Sequence, residues 1–134
     1  MIITKKQFIE SNDLQKQVVD VPELGKDAQV IVRELNGAER VAYNEFVMEM
    51  QKTNTEMTPA NTMDALAKLV SMTVVDEQGN LVFDASDIEQ LKLKSTVVLS
   101  RLGETALRLS GITEKVVQEA KNKLGNANKP STII

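Results

Sequence analysis

The chain has 134 residues, a net charge of −3, 42% apolar residues and no cysteine or histidine. That is enough for one domain with a real core. It excludes a disulfide framework, His- or Cys-ligated zinc, and any Ser-His or Cys-His nucleophile. The acidic balance, pI near 5.1, argues against a nucleic-acid partner. No apolar run approaches the ~20 residues of a membrane helix.

Aromatic residues make up only 3% of the chain and tryptophan is absent. The core must therefore be aliphatic. In chain order, residues 4–11 (TKKQFIES) predict a short first helix with Thr4 as N-cap. The valine- and isoleucine-rich segments around QKQVVDVPEL and DAQVIVREL predict two strands of an antiparallel hairpin, turning at Gly25, with Pro22 at a strand end or edge. Val30 and Val32 alternate with Ile31 and Arg33, as in a half-buried strand.

The Asn36–Glu39 spacing predicts a capping box at the start of a helix. Its expected apolar stripe is Ala38, Ala42, Phe46 and Met50, with Tyr43 and Val47 alongside. A loop marked by Pro59 is expected to break this helix before a largely buried one at 62–75, whose last residues could pass into extended chain.

The stretch DEQGNLVFDASD (76–87) carries oxygen-bearing side chains at Asp76, Gln78, Asn80, Asp84 and Asp87. An EF-hand loop requires glycine at its sixth position and a bidentate glutamate at its twelfth. Counted from Asp76, glycine stands fourth, aspartate stands twelfth, and an apolar Leu-Val-Phe run falls where ligands should be. The reading that suits each residue is a turn around Gly79, an extended LVF segment on the core, and Asp84 or Ser86 as a helix cap. A short helix over 86–94 follows. Then comes a longer one capped by Ser95 or Thr96, with Val98, Leu102, Ala106 and Leu109 as its stripe, Gly103 for close packing and Gly111 as its stop.

Thr113 opens a last helix. On it Ile112, Val116, Ala120 and Leu124 recur every four residues among charged neighbours. These four, together with Met48 and Met50, are the candidate partner-binding residues. The six methionines (Met1, Met48, Met50, Met57, Met63, Met72) serve either as core filler or as an adaptable apolar surface. Residues 1–125 are expected to form a single globular domain and 126–134 a flexible tail. The fold class is α+β, mainly α: an N-terminal antiparallel β-hairpin packed on a bundle of about five helices. No catalytic constellation, metal cluster or cofactor motif is present in the sequence, so the chain reads as a non-enzymatic, cytoplasmic binding protein.

The order of elements resembles the tail assembly chaperones of long-tailed phages. VDVPELGKDAQVIVRELNGAER is similar to the family's extended valine-proline opening, its turn, its V-x-V-R-E-L strand and its helix start. MDALAKLVSMTVVDEQGNLVF resembles the apolar helix and D-x-x-G-x-x-x-F turn, and SDIEQLKLKSTVVLSRLGETALRLSGI the helical pair that follows. Together they cover most of residues 18–125. Leu24 stands where many members carry tryptophan. The resemblance implies a non-enzymatic protein of the host cytoplasm, absent from the mature virion, that binds the long, helical, hydrophobic tape-measure protein. It also implies a second, longer product made by ribosomal frameshift that engages the tail tube protein; a homo-oligomer is compatible with it. Neither nucleic acid nor membrane is implied as a partner. The rival readings are a structural head–tail joining or tail component, or a small helical adaptor protein.

Overall fold

The computed structural model describes residues 1–53 and 58–112. The expected last helix and tail lie outside them, as do Met57, Val116, Ala120 and Leu124.

Strands β1 (Lys16–Asp20) and β2 (Gln29–Arg33) pair antiparallel, Val18 opposite Ile31 and Val19 opposite Val30. Pro22 opens a single 3-10 turn, Pro22–Leu24, where its missing N–H leaves nothing unpaired. The Val21 N–H donates to the Ala28 carbonyl at 2.9 Å and closes the loop.

Helix α1 (Lys5–Glu10) has the expected cap: Thr4 Oγ1 accepts from the Gln7 N–H, and Gln7 Oε1 accepts from the Thr4 N–H. It buries none of its residues, and Phe8 and Ile9 stay exposed. Helix α2 (Gly37–Thr53) starts on the predicted box, Asn36 Oδ1 accepting from the Glu39 N–H at 2.8 Å and Glu39 Oε1 from the Asn36 N–H at 3.0 Å. Its inner face is the expected one at Tyr43, Phe46, Val47 and Met50 but not at Ala38 and Ala42. Ala38 and Ala42 are exposed, while Glu39, Tyr43, Phe46, Val47 and Met50 are turned inward and only half-buried. Arg33 accounts for the inward turn of Glu39. Its guanidinium donates to both oxygens of Glu39, at 2.7 and 3.0 Å, and holds that side of the first turn against β2.

Helix α3 (Pro59–Thr73) begins three residues before the expected 62. Pro59 starts it rather than breaking it, because Thr58 Oγ1 caps the Asn61 N–H and a proline at the first helical position loses no intrahelical bond. The helix runs directly into β3 (Val74–Val75), which pairs antiparallel with Val32 and Ile31, giving the sheet order β1-β2-β3.

The 76–80 segment is the predicted turn. Asp76 Oδ1 accepts from the N–H groups of Gln78 and Asn80, and Gly79 sits at a φ of 86°, which favours glycine. Only part of LVF packs as expected. Phe83 rests on the core, whereas Leu81, bridged to Val75, and Val82 are exposed. Asp84 caps a 3-10 turn, Ala85–Asp87, that leads into α4 (Ile88–Leu91). The expected 86–94 helix is thus shorter and mixed in type.

Helix α5 (Thr96–Leu109) is capped by Ser95 and stopped at Gly111, φ 83°, where the Ile112 N–H reaches the Leu107 carbonyl and the Gly111 N–H the Arg108 carbonyl. Val98, Leu99, Leu102 and Ala106 of α5 meet Ala67, Leu69 and Val70 of α3 and the valines of one sheet face. Each fully buried leucine or valine contributes about 1.5–3 kcal/mol. Gly103 sits at the α3–α5 crossing. A Cβ there would stand 2.5 Å from Leu66 Cδ1, so any larger residue would require the Leu66 side chain to shift.

Candidate functional site

The site follows from the length of one strand. β3 has two residues and covers only Ile31 and Val32 of the five-residue β2. After Val75 the chain leaves the sheet through the Asp76 turn, so among the described residues no strand lies beside the β2 edge at Gln29 and Val30. An open groove of about 550 Å³ fills the gap. Val70, Leu99 and Leu102 form its floor, Val30, Ile31 and Phe83 its walls, and Val18, Leu24 and Val82 its rim. These rim residues are large apolar side chains left about half in water, Val18 at 53%, Leu24 at 54% and Val82 at 50% exposure. An apolar opening of this size needs a reason on a soluble protein.

Polar groups at the opening are few: Gln29, Asp76, Glu77 and Lys94. Asp76 is occupied by its own turn, and Gln29 Nε2 donates to Asp20 Oδ1 at 2.9 Å. Beside the groove Arg101 braces the hairpin turn, donating to both carboxylate oxygens of Glu23 at 2.8 and 2.6 Å and to the Asp20 carbonyl at 3.2 Å. The Arg101 hydrogen bonds hold the Glu23 carboxyl down at about 2. Burial pushes Glu39 up, but the bonds from Arg33 and from the Asn36 N–H outweigh it and leave the carboxyl below its ordinary value. The Ser86 hydroxyl and N–H lower Asp84. Both Glu23 and Glu39 are structural braces. What this arrangement can do chemically is bury an apolar segment.

The sequence-predicted candidates do not converge. Met48 is 60% exposed, while Met50, two positions on along α2, is half-buried. Ile112 is half-buried in the turn that ends α5, and Val116, Ala120 and Leu124 lie outside the described residues. Met63 and Met72 pack against the core as filler. Sequence reasoning missed Val18, Leu24 and Val82. The signal for Val18 was available: in a strand, two consecutive valines point to opposite faces, so one of Val18 and Val19 had to face away from the helices. Among the described residues, no group of acidic side chains is arranged to hold a metal ion, and no helix is long and apolar enough to cross a membrane.

A family model described as phage tail assembly chaperone matches residues 6–123. The fold is similar to that in the solved structure of the bacteriophage HK97 tail assembly chaperone, with a TM-score of 0.56 and 24% identity, over 78% of this chain and 90% of that one. No curated protein matches the chain.

Proposed function

Because the chain belongs to the phage tail assembly chaperone family, we propose that it binds the tape-measure protein during tail morphogenesis and that the apolar groove along the β2 edge is the binding surface. The observation that carries this reading is the half-exposed apolar rim of Val18, Leu24 and Val82 around a floor of core residues. A long apolar helix has to be kept soluble until the tube polymerises around it. An apolar groove on a charged, rigid scaffold does that by burying the helix's apolar face. In this reading the protein acts without catalysis in the host cytoplasm, works as an oligomer along its long partner, and leaves before the particle is complete. A frameshifted longer form would add a C-terminal extension that engages the tail tube protein.

Co-expression with the tape-measure protein of the same tail gene cluster tests the proposal. The expected result is a soluble complex that co-purifies, and loss of that complex with Val82→Glu, which places a charge on the rim. A tape-measure protein that stays insoluble, or a complex indifferent to rim charges, would overturn the assignment of the groove. Mass spectrometry of finished particles separates a chaperone from a structural tail component: the chain is expected to be absent.

A further inference from the structure

We infer that residues 1–10, an apolar arm ahead of β1, dock in the β2-edge groove of a second copy of this chain, and that the second copy returns its own arm in exchange. This goes beyond the chaperone reading and does not depend on it.

The arm carries much apolar surface and buries none of it in its own chain. Five of its ten residues are large and apolar: Met1, Ile2, Ile3, Phe8 and Ile9. Ile2 is 99% exposed, Phe8 67% and Ile9 71%. Helix α1 is nonetheless formed, with both halves of its capping box made. Among the described residues, the hydrogen bonds of residues 1–11 run only within that stretch. A capped helix this apolar, standing clear of its own core, marks a contact surface.

Its own groove is out of reach. The Gln15 N–H donates to Glu34 Oε1 at 2.7 Å, and the Glu34 N–H donates to the Gln15 carbonyl at 2.8 Å. These bonds pin the chain at the Lys16–Arg33 end of the hairpin, whereas the groove opens at Leu24 and Gln29, by Asp20, at the other end. That opening lies about 17 Å back along β1. Residues 11–14, which join α1 to Gln15, extend at most about 14 Å. In a two-fold pair with antiparallel hairpins the gap closes. The arm-bearing end of each copy then lies beside the groove end of the other, and both exchanges form at once.

Charge selects the groove as the seat. Its opening carries Asp76, Glu77 and Lys94. The arm carries Lys5 and Lys6 in the first turn of α1 and Glu10 at its end. Lysines in a first turn face the positive end of the helix dipole, so the stability of α1 does not account for them. Lys5 lies on the same side of the helix as Phe8 and Ile9, one turn before them. Among the described residues, Lys5, Lys6, Glu10, Glu77 and Lys94 have no ion pair. Seating Phe8 and Ile9 on the apolar floor offers the two lysines the acidic pair, and Glu10 the lysine. The arm is then a resident that an incoming apolar helix has to displace.

The chain has no cysteine, so single introduced thiols report contacts between copies. Full-length protein carrying Phe8→Cys is mixed with protein carrying Val82→Cys on the groove rim, 50% exposed, or Val41→Cys on α2, 57% exposed, and treated with a short bismaleimide. The expected result is a link between unlike copies at dimer mass, roughly tenfold more abundant with Val82→Cys than with Val41→Cys, as for thiols held together by a complex. Replacing Ile2, Phe8 and Ile9 together by Ser is expected to weaken self-association about tenfold or more in sedimentation. Circular dichroism of that variant should stay that of a folded domain, because the arm holds none of the core. Equal linking at the two sites, links at monomer mass from a chain carrying both Phe8→Cys and Val82→Cys, or unchanged self-association of the Ser variant would overturn the inference. Every readout uses protein without the tape-measure partner, so it fails or succeeds independently of the proposed function.

Discussion

The two faces of the three-stranded sheet are built from the same residue types and end in different surroundings. On the inner face Val19 and Val74 are 6% and 4% exposed, and Val32 is fully buried under α3 and α5. On the outer face Val18 is 53% exposed and Ile31 half-buried, while Val75 in the same row is 4% exposed. Valine content therefore does not distinguish core from exposed surface. Register does, since a one-residue shift exchanges the faces. The inner face stabilises the fold, and the outer face, continuous with the groove, is apolar surface left over for something else.

Replacing one residue on each side breaks the comparison most strongly. Leu99→Ala opens a cavity under the inner face and is expected to cost about 2–5 kcal/mol. Val18→Ala on the outer face is expected to cost at most about 1 kcal/mol. Urea denaturation of both variants checks the difference, and similar losses would mean that the faces are equally part of the core. Ser110→Ala comes next. It removes a buried hydroxyl that accepts from the Leu35 N–H and donates to the Ala106 carbonyl at 2.7 Å. Leaving the Leu35 N–H without a partner is expected to cost about 1–3 kcal/mol by the same measurement.

The smallest effect is electrostatic and sharpens the picture of the hairpin turn beside the groove. Glu23, held at about 2, and Glu39, also lowered, have ordinary values of 4.5. Their stabilisation is present above the ordinary value and is lost as pH falls from 4.5 toward about 2. Thermal unfolding should therefore show a falling midpoint through that window. Glu23→Gln should flatten the fall slightly, because the ion pair with Arg101 is largely solvated.

Local chemistry was readable in the sequence. The Thr4 and Asn36 caps, the Asp76 turn, the Ser95 cap and the Gly111 stop all depend on residues within a few positions of one another, and each stands where its spacing places it. The hairpin and the buried third helix were legible for the same reason. The inward turn of Glu39 on α2 was not, since it depends on Arg33 reaching across from β2. Nor was the groove, which exists because β3 stops after two residues, a fact of pairing that no periodicity encodes. Leu24 was visible as a departure from the family's usual tryptophan, but its place on the groove rim is tertiary information. Met48 and Met50 were grouped by residue type, and helix geometry puts them on different sides.

The most direct test of the account is calorimetric titration of an apolar helical segment of the tape-measure protein into the full chain, compared across two charge insertions at similarly exposed sites: Leu24→Glu on the groove rim, 54% exposed, and Val41→Glu on α2, 57% exposed. The account predicts that Leu24→Glu weakens binding at least tenfold, about 1.4 kcal/mol, while Val41→Glu leaves it unchanged and both variants stay folded. Unaltered binding by Leu24→Glu, or equal loss from both, would contradict it.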